Sequence, residues 1–190
     1  MLLGTSAGGW KKTPRYPGNS ERVSEFRINI SNLPEGVHER SLEAAADHLG
    51  LDARFSEQVR AAAKVEKTSR QLYLHVEFTT RGTFTCDRCL DEFHKEVSGS
   101  YGVVYVTDTQ ADDGIEIDEI QVISPEANYI DLAEDVRQFV LLALPQKMLC
   151  REECAGLCPG CGVNRNRSKC SCPNEGIDPR WEGLRNLLEN

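Results

Sequence analysis

The placement of the eight cysteines constrains this chain more than any other feature. Two form an isolated C-x-x-C pair, Cys86-Asp87-Arg88-Cys89, inside strand-like sequence. The other six crowd into one stretch as Cys150, Cys154, Cys158, Cys161, Cys170 and Cys172. Zinc takes four thiolates at tetrahedral corners, and a two-residue spacer lets one tight turn aim both sulfurs at a single point. Gly162, directly after Cys161, permits the positive φ of such a turn, and backbone N–H groups facing the sulfurs stabilise their charge. Two C-x-x-C pairs far apart in sequence are the usual halves of a ribbon-like site. The expected grouping is therefore Cys86 and Cys89 with Cys158 and Cys161, leaving Cys150, Cys154, Cys170 and Cys172 for a second ion. One zinc with spare thiols is the other reading, so the expected cofactor is one or two structural Zn2+.

Other cysteine chemistries fit less well. Disulfides belong to oxidising compartments, and the start MLLGTSAGGWKKTPRYPGNSER lacks the charge-first, apolar-second order of a secretory signal. No run approaches the roughly 18 apolar residues of a membrane span, so the expectation is a cytoplasmic protein without a membrane partner. Thiol oxidoreductases set their C-x-x-C at a helix N-terminus in a βαβ unit, and the pattern here shows neither; that activity is the least favoured function. Spacing does not separate zinc from an iron–sulfur cluster. Catalysis has little support. His38, His48, His75 and His94 show no metalloprotease or deaminase spacing, and there is no phosphate loop or nucleophile elbow. The reading is a non-enzyme with no small-molecule substrate, in which His94 is a surface residue rather than a substitute ligand.

The periodicity predicts an α+β fold: a curled antiparallel sheet or partial barrel with a packed central helix, then a Cys-rich zinc module ending in a short helix. Residues 1–24 read as a disordered basic tail, 25–145 as the sheet-plus-helix domain, and 146–190 as the zinc module. Strands are expected at Phe26–Ile30, Val59–Lys67, Leu72–Phe78 and Glu92–Val97 continuing through Val106, from their alternation. Asn32–Gly36 and Arg81-Gly82 read as turns, and residues 41–49 as a short helix capped by Ser41. The clearest helix covers 131–144, with Asp131 as N-cap, Glu134 closing a capping box and Pro145 ending it. A last helix is expected from Asp178.

Charge divides the chain. Between Asp108 and Asp135 stand ten carboxylates and no Lys or Arg; against a total of −8, everything else carries +2. Residues 108–128 are expected to be a solvated acidic loop around a short strand at Ile115–Ile120, with docking of a basic partner as the alternative. Around the C-terminal cysteines the sign reverses: Lys147, Arg151, Arg165, Arg167 and Lys169 outnumber Glu152 and Glu153. A rigid zinc turn presenting these cations, with Asn164 and Asn166 between the arginines, is a candidate RNA contact surface.

Several phrases together resemble one family: INISNLPEGVHE, CDRCLDEF, the ALP that closes the central helix, LCREECAGLCPGCGVNRN, CSC and IDPRWEGLRNLL. They are similar to the YceD family, whose members are named for accumulation of large-subunit ribosomal RNA, and the likeness covers roughly residues 25–188. It implies a metal-binding and nucleic-acid-binding protein, linked to 23S rRNA and large-subunit assembly, and carries the ligand role onto all eight cysteines. Some members lack the C-terminal cysteines, which implies structural support rather than chemistry at the metal. The extension before Glu25 departs from the pattern, as does Arg165 where the likeness leads to Leu. The implied function is a ribosome-biogenesis factor that binds ribosomal RNA or a pre-ribosomal particle. The alternative is an adaptor whose acidic segment docks a basic ribosomal protein without touching RNA.

Overall fold

The computed structural model describes residues 25–107 and 120–172. Four long strands form its frame: β2 (Gly36–Ala45), β3 (Gln58–Lys67), β4 (Gln71–Thr85) and β5 (Glu92–Val106), after a short β1 (Arg27–Asn29). Neighbours among these four, β2–β3, β3–β4 and β4–β5, pair antiparallel. β6 (Ile120–Val122) then adds to the far side of β5 in parallel, with Val104 opposite Ile120. The strand order β2-β3-β4-β5-β6 is linear and the sheet is not closed. β7 (Tyr129–Asp131) pairs with β1 in a separate ribbon. The helix α1 (Ala133–Leu142) follows.

Alternation builds the core. Leu72, Leu74, Val76 and Phe78 of β4 are buried and meet Val59, Ala61, Ala63 and Val65 of β3 on one face, while the buried Phe84 packs on Phe55 and Phe93. The ribbon and helix cover that face with Ile28, Ile130, Leu132, Val136 and Val140, each large aliphatic side chain contributing about 1.5–3 kcal/mol when fully buried. Phe139 stacks on Tyr101 of β5 with centroids 4.3 Å apart and planes within 2°. No helix of the described residues is long and apolar enough to cross a membrane.

Local expectations fail where tertiary pairing outweighs propensity. Residues 41–45 extend β2 instead of opening a helix: ten register pairs with β3 satisfy the backbone, and Ala44 turns into the core. Alanine-rich sequence favours a helix only weakly, and sheet context overrides it. Arg81-Gly82 is not a turn, because β4 runs straight through it. Gly82 is there for closeness: a Cβ would lie 2.8 Å from the Phe84 ring and 2.9 Å from the Arg54 carbonyl. Asp131 ends β7, where it pairs with Arg27 at 2.9 Å. Its carboxylate still accepts the Ala133 N–H, although Leu132 occupies the N-cap position. Glu134 closes no capping box; it binds Arg137 and Gln138. The purely antiparallel expectation is corrected by β6. The tail, most of the acidic loop, its strand from Ile115 to residue 119 and the helix from Asp178 lie outside the described residues.

Candidate metal centre

The two C-x-x-C knuckles fold alike. In the first, which makes the tight connection between β4 and β5, the Cys86 N–H donates to the Asp91 carbonyl and the Leu90 N–H to the Cys86 carbonyl, each at 2.9 Å. In the second, the Cys158 N–H donates to the Val163 carbonyl and the Gly162 N–H to the Cys158 carbonyl, each at 2.8 Å. Both require a left-handed residue just past the second cysteine: Gly162 at φ +74° as expected, and in the first knuckle Leu90 at φ +60°. The loop thereby turns its N–H groups toward the sulfurs.

Sulfur positions define two groups of four. Cys86, Cys89, Cys150 and Cys154 form one, Cys158, Cys161, Cys170 and Cys172 the other, and in each all sulfurs lie within 4.8 Å of one another. The expected pairing of Cys86 and Cys89 with Cys158 and Cys161 is therefore corrected. The reason lies in how the chain meets the first knuckle. The Asp87 N–H donates to the Met148 carbonyl at 2.8 Å, and the Asp87 carboxylate accepts the Met148 N–H at 2.7 Å. The Arg88 carbonyl accepts the Leu157 N–H at 2.9 Å, while the Arg88 guanidinium donates to the carbonyls of Glu152 and Cys154. These bonds lay residues 148–157 over the hairpin tip, so Cys150 and Cys154 arrive first and the second knuckle falls beyond it.

The donor geometry suits a single tetrahedral ion. Cys86 and Cys154 sulfurs are 3.8 Å apart, as are those of Cys89 and Cys150. Four sulfurs at about 2.3 Å from a tetrahedral centre stand about 3.8 Å from each other, whereas a disulfide needs about 2.05 Å. All eight cysteines are free thiols. Both clusters could hold a metal ion; four thiolates complete the shell, as in structural rather than catalytic sites.

Thiol electrostatics are uneven in both groups. Burial pushes Cys86 up, but N–H groups of Cys150, Cys89 and Arg88 outweigh it and draw the thiol down to about 6. The Asp91 N–H draws Cys89 down, yet burial and the sulfurs of Cys86, Cys154 and Cys150 prevail and push it up to about 12. The second group repeats this: N–H groups of Cys161 and Gly160 draw Cys158 down to about 6, while the sulfurs of Cys161 and Cys158 push Cys172 up to about 12. Crowded sulfurs cannot all carry charge without a cation, and a divalent ion reverses that preference.

A hydrogen-bonded shell supports the first group. The Asn166 amide donates to the Cys154 sulfur at 3.3 Å and to Asn164 Oδ1 at 2.9 Å. Its own oxygen accepts from Arg151 and from the Ala155 N–H. Asn164 in turn donates to Asp91 at 2.8 Å, and Arg167 pairs with the other oxygen of Asp91 at 2.9 Å. The sequence pattern put Asn164, Asn166, Arg151 and Arg167 on an RNA face; in the structure Asn164 and Arg167 tie the module to Asp91 of the hairpin, while Arg151 and Asn166 bond within the module. Asp91 was missed, and its place two residues after Cys89 was the available signal. Lys147, Arg165 and Lys169 are exposed and make no ion pair among the described residues. His94 lies in neither cluster and meets Thr83 Oγ1 at 3.0 Å.

Comparison with known proteins points one way. The family model described as "Large ribosomal RNA subunit accumulation protein YceD" matches residues 74–188, more than half of the chain. A Mycobacterium tuberculosis protein described only as uncharacterized is 36% identical over 104 residues, 54% of this chain and 49% of that protein. A Mycobacterium leprae protein, likewise described, is 27% identical over 125 residues, 66% and 57% of the two chains. An Arabidopsis thaliana protein named "Large ribosomal RNA subunit accumulation protein YCED homolog 1, chloroplastic" is 37% identical over 65 residues, 34% of this chain and 20% of that one. The match spans about half the length of the Mycobacterium bovis and Mycobacterium tuberculosis proteins. No solved structure matches.

Proposed function

The chain belongs to the YceD family, and from that premise we propose that it is a non-catalytic zinc-binding factor supporting large-subunit ribosomal RNA accumulation or large-subunit assembly. The tetrahedral spacing of the cysteine sulfurs carries the reading, because a closed four-thiolate shell is a scaffold. Cys86, Cys89, Cys150 and Cys154 would hold one zinc and Cys158, Cys161, Cys170 and Cys172 another. A cytoplasmic location is part of this reading, because thiolates reserved for metal suit a reducing compartment. The scaffolded surface is the basic one, and its partner is ribosomal RNA or a pre-ribosomal particle. Arg165 and Lys169, with Lys147, supply cations that make no ion pair among the described residues, whereas Arg167 is paired with Asp91 of the hairpin and Arg151 with Asn166 of the module.

The test has two parts. Metal analysis of protein purified without a metal-binding tag should give two zinc ions per chain; none would remove the scaffold. Arg165→Ala with Lys169→Ala should lower affinity for a ribosomal RNA fragment several-fold and reduce the slope of log affinity against log salt by about 1–2, since each lost phosphate contact removes about 0.7–0.9. An unchanged slope takes this patch out of the account.

A further inference from the structure

The sheet face that points away from the core carries a trough unrelated to the cysteines. It has a volume of about 750 Å3 and crosses β2, β3, β4 and β5. Two cross-strand rows form its sides: Ser41, Ala62, Glu77 and Ser100 in one, Glu43, Arg60, Thr79 and Ser98 in the other. Between them the floor is backbone, because Leu42, Ala61, Phe78 and Gly99 belong to the opposite, core-facing set. Gly99 keeps β5 close at this point, since a Cβ there would stand 2.7 Å from the Phe78 ring. The small outward side chains of Ser41, Ala62, Ser98 and Ser100 leave a depression where a sheet with larger residues would be flat.

Its charge selects the guest. Glu43, Glu77 and Glu96 line the trough against the single cation Arg60. Arg60 is held by Glu43 at 3.0 Å, and the flanking Arg81 is shared between Glu57 at 3.5 Å and Glu96 at 3.7 Å. Glu77, 72% exposed, has His75 at 3.7 Å as its one ion-pair partner among the described residues. The arginines are thus matched and carboxylate remains in excess, beside the hydroxyls of Ser41, Thr79, Ser98 and Ser100. Such a surface repels phosphate and attracts cations that donate hydrogen bonds. Four strands spaced about 4.8 Å apart give a length of roughly 15 Å, which four or five residues of extended peptide fill. Long, narrow Lys and Arg side chains can lie over the small residues and reach the carboxylates.

We propose that this trough docks an extended, Lys/Arg-rich peptide segment of a partner protein. The site is separate from the basic module, so the two readings can fail independently. The experiment uses the full, zinc-loaded, 15N-labelled chain. It is titrated with a synthetic nonapeptide of alternating Arg and Gly, with a Glu-Gly peptide as control and a single-stranded RNA oligonucleotide as competitor. Amide shifts should centre on Ala62, Thr79, Ser98 and Ser100, with the Arg-rich peptide at least tenfold tighter than the control. Ser98→Trp, which fills the floor from an exposed position, should weaken the peptide at least tenfold. Glu77→Gln, a near-isosteric change, should weaken it about threefold. Arg165→Ala with Lys169→Ala should leave peptide binding unchanged while lowering RNA affinity. Equal binding of the two peptides, shifts centred elsewhere, unchanged affinity in Glu77→Gln, or displacement of the peptide by RNA from these same residues would each overturn the proposal.

Discussion

The two cysteine clusters share a ligand set and a knuckle fold, yet they join different lengths of chain. The first takes Cys86 and Cys89 from the hairpin tip and Cys150 and Cys154 from beyond the helix. Three of its four cysteines are buried, and Cys150 is half-buried. The second is drawn entirely from residues 158–172, with Cys161 exposed and Cys170 and Cys172 half-buried. A cross-link between distant segments holds tertiary structure, while one between near neighbours shapes a loop. The loop-closure cost that an ion offsets grows with the length of chain it closes. Identical chemistry thus acts at two levels of organisation.

The largest effect expected from this contrast is on stability. Cys86→Ser should remove one ion and cost several kcal/mol, a large fraction of the marginal stability of a domain; the melt of the sheet shows it. Cys161→Ser should also remove one ion while the sheet melts nearly as before. Equal losses in the two variants would break the comparison.

A smaller effect concerns release of metal. A chelator in excess should withdraw the exposed ion before the buried one, giving two phases of which the faster is missing in Cys161→Ser. Because Cys89 and Cys172 are pushed up to about 12, they must shed protons on binding metal, and protons compete with the ion. Both clusters should therefore bind metal more weakly as pH falls, most steeply below about 6, where the metal-free Cys86 and Cys158 also take up protons that the ion must displace. A single phase at every pH would show that burial does not separate the sites.

The smallest effect lies in the knuckles themselves. Leu90 holds the left-handed conformation that Gly162 holds without penalty, and an L side chain there costs roughly 1–2 kcal/mol. At 63% exposure Leu90 has little packing to lose. Leu90→Gly should therefore raise the stability of the zinc-loaded protein by about 0.5–1 kcal/mol, after allowing for the freedom glycine gains when unfolded. Denaturant titration measures it, and destabilisation would mean that Leu90 performs a task the knuckle comparison does not include.

Strand alternation made β3, β4 and β5 readable from residues alone, since one buried face imposes a period of two on each. Residues 41–45 were not readable in that way. Their helix-forming composition describes isolated chain, and it is the ten-pair register with β3 that settles their state. Gly82 illustrates the same limit: a glycine before a turn and a glycine beneath an aromatic ring look alike in sequence.

The cysteines show where the boundary falls. Their number and knuckle spacing, with Gly162 after the second pair, are read directly from residue order and made them candidate ligands, whereas the left-handed Leu90 after the first pair left no such mark. Their partners depend on which segments meet, and that depends on Asp87, Arg88 and Asp91 receiving Met148, Leu157, Asn164 and Arg167. Those contacts span about 60 residues or more and leave no periodic trace in the chain. Local geometry is written in neighbouring residues; the grouping of sulfurs is a property of folded surfaces meeting, and only their docking separates one cluster from the other.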